Sequence, residues 1–133
     1  MHQSNVHLVW RTKYRYAVLE GDIQLRYRNL IRQSCDSLDI QILKGVVSKD
    51  HLHLHVSYPP KLSVSDMVRR LKARSAKILF LEYTELKKRI WAGHLWGIGY
   101  GVWSTGNITD EMIHEYLNPH KEGPKSDQNF ILE

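Results

Sequence analysis

From Asn5 to Thr12 the chain reads NVHLVWRT, a loose alternation of apolar and polar residues with two valines and a tryptophan, which predicts a strand. Between Asp22 and about Leu38 the period changes. Ile23, Tyr27, Leu30, Ile31, Cys35 and Leu38 recur every three or four residues, the spacing of a helix with one apolar face, and Gly21 or Asp22 is placed to cap it. IQILKGVVS at 40–48 and KDHLHLHVSY at 49–58 return to the strand pattern. Only a short polar break separates them, so they should pair antiparallel, and Pro59-Pro60 ends the second.

Ser63 or Ser65 opens a second helix running to about Tyr83, with Val64, Val68, Leu71, Ser75, Ile78 and Leu79 on one face. Residues 84–99, with Trp91, Trp96 and three glycines, suggest a compact loop with aromatic anchors; Tyr100 and Trp103 belong with those anchors. A fourth strand from Tyr100 to Thr105 ends at the turn pair Gly106-Asn107. Thr109 then caps a short helix with Asp110 and Glu111 in its first turn, and Pro119 limits or kinks that helix. The order strand, helix, strand, strand, helix, strand is a split βαβ unit given twice. It predicts an α+β, ferredoxin-like antiparallel sheet with two helices on one face and an additional C-terminal helix. One domain at 1–120 with a tail at 121–133 fits a chain of 133 residues.

Charge adds a partner class. Nineteen Lys and Arg against fourteen Asp and Glu leave a formal charge of +5, which leans towards an anionic partner such as nucleic acid. The single cysteine excludes an internal disulfide and a cysteine-based zinc site, and suits a reducing cytoplasm. No run of about 20 apolar residues is present to span a bilayer, and the N-terminus lacks the layout of a signal peptide. Arg69, Arg70, Lys72, Arg74 and Lys77 give the second helix a basic surface, read either as solvated charge or as phosphate contacts. Lys13 and Arg15, alternating with Tyr14 and Tyr16, could combine charge with base stacking, although packing at a strand end explains them equally well.

The candidate chemistry lies in KDHLHLHVSYPP. Alternate strand residues share a face, so His51, His53 and His55 point one way while Leu52, Leu54 and Val56 point to the core. Two such imidazoles can lean onto one metal ion, yet the spacing alone is a weak signal. The other segments strengthen it. KDHLHLHVSYPP, the helix with LKARSA, GHLWGIGY and finally GNITDEMIHEYLNPH occur in the order found in the small single-tyrosine HUH transposases of bacterial and archaeal insertion sequences. The chain resembles that family from VHLVWRTKYR to His120.

The resemblance carries residue roles with it. It implies that His51 and His53 are the metal pair, preceded by Asp50, and that Tyr116 is the nucleophile. His120 falls where the family commonly has a glutamine ligand, and His55 where it usually has an aliphatic residue. The resemblance further implies Mg2+ or Mn2+, cleavage and rejoining of single-stranded DNA through a 5′-phosphotyrosine, a hairpin at the element ends, and a homodimer in which one subunit's tyrosine helix can serve the other's histidines. Three imidazoles alone would suit zinc instead. Two readings from other classes compete: a non-catalytic single-strand-binding module of the same fold, and a zinc-dependent hydrolase using His51, His53 and His55.

Overall fold

The computed structural model describes residues 4–90, 93–104 and 108–118, together with the backbone of 130–131. The elements follow the expected order: β1 (Ser4–Arg11), α1 (Gly21–Ser37), β2 (Gln41–Val47), β3 (His51–Tyr58), α2 (Val64–Glu82), α3 (Thr84–Arg89), β4 (Tyr100–Trp103), α4 (Asp110–Leu117) and β5 (Phe130–Ile131). The strands lie in the order β2-β3-β1-β4-β5, every neighbouring pair antiparallel. The first four reproduce the ferredoxin-like sheet. β5, pairing Phe130 and Ile131 with Gly101 and Tyr100, was not legible in the sequence, because a two-residue strand has no period to detect.

One face of the sheet carries the core. Leu8 and Trp10 of β1 and Leu52, Leu54 and Val56 of β3 are buried against Tyr27, Leu30, Ile31 and Cys35 of α1 and Met67, Val68, Leu71 and Leu79 of α2. Burial drives the Cys35 thiol up to about 12, so it stays protonated and unreactive. Ser75 tolerates its buried place because its hydroxyl donates to the Leu71 carbonyl one turn back, at 2.8 Å.

Three local expectations change. Helix α1 has Glu20 as its N-cap residue, not Gly21 or Asp22; Gly21, at φ +57°, begins the helix, a backbone angle that glycine adopts without a Cβ clash. Thr84–Arg89, read from sequence as loop, forms α3: TELKKR is made of good helix formers, and its buried Leu86 joins the core. Strand β4 stops at Trp103. Trp91, the Gly106-Asn107 turn, Pro119 and His120 lie outside the described residues. No described helix is long and apolar enough to cross a membrane.

Candidate active site

The second face of the sheet holds the chemistry. In β1, the residues that alternate with the buried Leu8 and Trp10 are His7, Val9 and Arg11, and the pairing with β3 sets them opposite His55, His53 and His51. Directly opposed residues on one face have Cβ atoms about 4.5–5.5 Å apart, so the three histidines of β3 face a second row from β1. Continuing across the sheet, Val9 pairs with Gly101 and His7 with Trp103. Helix α4 lies over this row: Tyr116 and Leu117 bury against Val9, with Trp103, Ile108 and Ile113 around them. Thr109 caps the helix by accepting the Met112 amide at 3.1 Å, as its sequence position predicts.

The three histidines are not equivalent. His51 Nδ1 lies 2.8 Å from Asp50 Oδ1, and a bond donated there leaves Nε2 as the lone pair available to a metal. Burial alone would raise the Asp50 carboxyl, but the His51 hydrogen bond and the Arg15 charge outweigh it and hold the group below the usual carboxylate range. His53 Nε2 instead meets His7 Nδ1 at 3.2 Å. His55 stacks on the His7 ring, centroids 4.0 Å apart and planes 10° from parallel. His7 was missed in the sequence, where it stands as a lone histidine in a strand. Its signal was the β1–β3 pairing that the split βαβ order already implied.

His53 is held neutral. Its burial comes first, and the charges of His7, Lys44, His51 and His55 add to it, lowering its pKa to about 4. A pKa lower in the folded state than the ordinary 6.5 means that the unfolded chain binds the extra proton first. The stabilisation is therefore complete above about pH 6.5 and is lost as pH falls through about 4, by up to roughly 3 kcal/mol. Urea unfolding midpoints followed from pH 7 to pH 4 should fall in the parent chain and much less in His53→Gln. An equal fall in both would remove burial of His53 as the cause.

The phenol of Tyr116 is buried, 2% exposed, with Arg11 Nη1 donating to its oxygen at 3.3 Å and the guanidinium carbon 5.6 Å from the ring centre. Arg11 is the cross-strand partner of His51. One side chain therefore connects the tyrosine oxygen to the strand position of the first histidine. Glycines make space beside Arg11 and beside the Tyr116 ring. A Cβ on Gly97 would come within 3.3 Å of Arg11 Cγ, and one on Gly101 within 2.6 Å of the Trp103 ring and 3.1 Å of Tyr116 Cδ1. Trp103 folds back across Gly101 to meet Tyr116 edge-on, centroids 6.3 Å apart. Gly101→Ala should displace both rings at a cost of about 1–3 kcal/mol. A shift in tryptophan fluorescence together with a lower unfolding midpoint would report it, and an unchanged spectrum would contradict the contact.

Arg15 joins the two halves of the site. Its Nε and Nη2 donate to Asp50 Oδ2 at 3.3 and 3.1 Å, while Nη1 donates to Asn118 Oδ1 at 2.6 Å and to the Leu117 carbonyl at 3.3 Å. The backbone turns it inward: Tyr14 and Arg15 both have φ +56°, in the left-handed region that costs an L-residue roughly 1–2 kcal/mol. The expected cations thus divide by placement. Arg15 is tied into the site, and Lys72 is buried with Nζ donating to the carbonyls of Gly97 and Gly99 at 3.1 and 3.2 Å. Arg69 and Arg70 are exposed and paired with Asp66, Arg74 donates to Ser34 Oγ at 2.8 Å, and Lys77 is exposed. Lys13 Nζ sits 5.4 Å from the centre of the Tyr14 ring.

The expected metal pair, His51 and His53, would supply two positions. Among the described residues no group of three His, Cys, Asp or Glu gathers to hold a metal ion. Helix α4 ends at Leu117 with Asn118 as C-cap, as expected before a proline. His120 itself lies outside the described residues.

The chain has relatives among known proteins. The family model described as "Transposase IS200 like" matches residues 1–120. The chain is 31% identical over 117 residues to the ISDra2 transposase TnpA of Deinococcus radiodurans, covering 88% of this chain and 84% of that protein. It is 29% identical over 126 residues to the transposase for insertion sequence element IS200 of Salmonella typhimurium, covering 95% and 82%. Among solved structures, one assigned as a transposase of Deinococcus radiodurans R1 superposes with a TM-score of 0.82 at 28% identity, covering 90% of this chain and 92% of that one. The REP-associated tyrosine transposase bound to a REP hairpin gives 0.60 at 19% identity, over 92% and 70%, and shares the fold. With the ferredoxin-like sheet, the histidine strand and the tyrosine helix all inside the matched region, the chain belongs to the IS200-like transposase family.

Proposed function

We propose that this transposase cleaves and rejoins single-stranded DNA at the ends of an insertion element, using Tyr116 as nucleophile and a divalent cation, Mg2+ or Mn2+, held by His51 and His53. The observation that carries the proposal is that the tyrosine oxygen and the histidine pair share one side of the sheet, where Arg11, the cross-strand neighbour of His51, donates to that oxygen. The donor set fits a cation at two positions: Asp50 orients His51 with Nε2 free, and His53 is kept neutral. The His7 contact on His53 Nε2 would have to yield if that nitrogen ligates. When bound, the ion supplies Lewis-acid polarisation of a nonbridging phosphate oxygen.

The protein's own groups do the rest. The Tyr116 oxygen attacks phosphorus in line; as its O–P bond forms it gives up its proton, the P–O3′ bond breaks, and the departing 3′ oxygen takes up a proton. The products are a 5′-phosphotyrosine and a free 3′-hydroxyl, and attack by a second 3′-hydroxyl reverses the step without ATP. A guanidinium donating to the phenol oxygen stabilises the charge that develops there. Because Tyr116 is 2% exposed, a strand reaches it only after Trp103 or α4 shifts. The family resemblance also supports action as a homodimer, for which sedimentation near twice the 15.6 kDa chain mass is the expected result.

The test is to incubate the chain with single-stranded, hairpin-bearing DNA from the element ends and Mn2+ or Mg2+, then denature it. A protein–DNA adduct that survives denaturation and disappears with chelator is expected. Cleavage without a protein-linked product would overturn the tyrosine mechanism, and binding without any cleavage would favour the non-catalytic module.

A further inference from the structure

Arg11 also lines an open-sided cleft of about 720 Å³, within the ~300–1,000 Å³ typical of small-ligand pockets. Its apolar walls come from Ala73 and Ala76 of α2 and from Leu95, and Tyr14 stands at its edge. Tyr14 is 68% exposed, an unusual state for a tyrosine, and the left-handed backbone that turns Arg15 inward is what displays it. Arg11, Lys13 and Arg69 supply the cationic lining. Arg69 is shared with Asp66, and Lys72, deeper in the cleft, is turned to the carbonyls of Gly97 and Gly99. Arg11 gives one N–H to Tyr116 and keeps others to donate, and the Lys13 ammonium meets the Tyr14 ring, so these two are the charges best placed for an anion.

An exposed aromatic face next to small apolar side chains, bordered by cations, matches one chemical class: a flat heterocycle attached to a phosphate. Position narrows it further. Arg11 lines this cleft and also donates to the Tyr116 oxygen, so the cleft begins one side chain from the attacking atom. A strand whose scissile phosphate lies at Tyr116 carries its neighbouring nucleotide towards that opening.

We infer that the cleft receives one unpaired nucleotide flanking the scissile phosphate, with its base against Tyr14 and the Ala73–Ala76 face of α2 and its phosphate towards Arg11 and Lys13. The inference rests on the single-strand cleavage proposed above and adds to it a protein-made preference for one base position. It also gives the Lys13-Tyr14 segment a role separate from that of Arg15: the first two residues hold substrate, the third holds the site together.

Binding in the Tyr116→Phe background tests it, with a single abasic nucleotide moved along the strand. The expected profile has one position, next to the cleavage site mapped with the parent chain, where loss of the base weakens binding about 5- to 100-fold. Tyr14→Ala should flatten that dip. So should Ala73→Trp, which fills the cleft from an exposed helix position and leaves the core untouched. A flat profile in the parent background, or a dip that persists in both variants, overturns the pocket. Adduct formation by the parent chain together with a flat profile would remove the pocket and leave the tyrosine mechanism standing. A dip that both variants flatten, with no adduct on any strand, would remove the mechanism and keep the pocket.

Discussion

Tyr116→Phe is expected to lower adduct formation and strand cleavage by roughly 10⁴-fold or more while the chain stays folded. Removal of a covalent nucleophile acts on that scale, because no neighbouring group replaces the bond it forms. The structural loss is far smaller. The phenylalanine ring keeps the contacts with Val9 and Trp103, and the bond lost from Arg11 at 3.3 Å is a net contribution of about 0.5–1.5 kcal/mol. The two magnitudes separate the chemistry from the packing that a buried aromatic also supplies. Denaturation midpoints and adduct assays on the same preparation make the comparison. Robust adduct from the variant would sink the assignment of Tyr116, and loss of folding would show that the hydroxyl matters more for stability than the long hydrogen bond from Arg11 implies.

The second large effect is expected at Arg15. Arg15→Ala removes a guanidinium that satisfies Asp50 on one side and the end of α4 on the other. Exposed ion pairs contribute under about 1 kcal/mol, and breaking buried ones costs about 3–5. With side-chain exposures of 34% for Arg15 and 14% for Asp50, this pair falls between, so about 1–3 kcal/mol is expected, a drop of roughly 3–12 °C in melting midpoint. Activity should suffer beyond that loss, since Asp50 no longer has a fixed partner while it orients His51, and α4 is released at the end nearest Tyr116. Arg15→Lys keeps the charge but cannot reach both partners with one ammonium, so it should recover part of the stability and little of the activity. Arg15→Gly separates the backbone contribution: it removes the same guanidinium but relieves the left-handed strain, and should be about 1 kcal/mol more stable than Arg15→Ala. If Arg15→Ala instead matches the parent in both midpoint and adduct yield, the coupling between α4 and the histidine strand is not made by this residue.

The placement of these two residues shows where reading the sequence ended. The periods of 2 and about 3.6 encode which way each side chain points relative to its own element, so the histidine row, the buried leucine row and the apolar faces of α1 and α2 were legible directly. The DHLH strand and a capped helix bearing Tyr116 carried the family. Those features depend on local geometry and on residues that stand close together in the chain.

What only the tertiary structure decided was the partner of each charged or polar side chain. A cation on a helix or turn reads the same in sequence whether it meets solvent, phosphate or a carbonyl. Arg15 meets an acceptor 102 residues away, and Lys72 meets carbonyls 25 and 27 residues away. His7 and Arg11 acquire meaning only once the β1–β3 register sets them opposite His55 and His51, and the 68% exposure of Tyr14 follows from a left-handed turn that no periodicity signals. Periodicity fixes a direction within one element. Pairing is fixed by register, packing and backbone angles, and these exist only after the chain has folded.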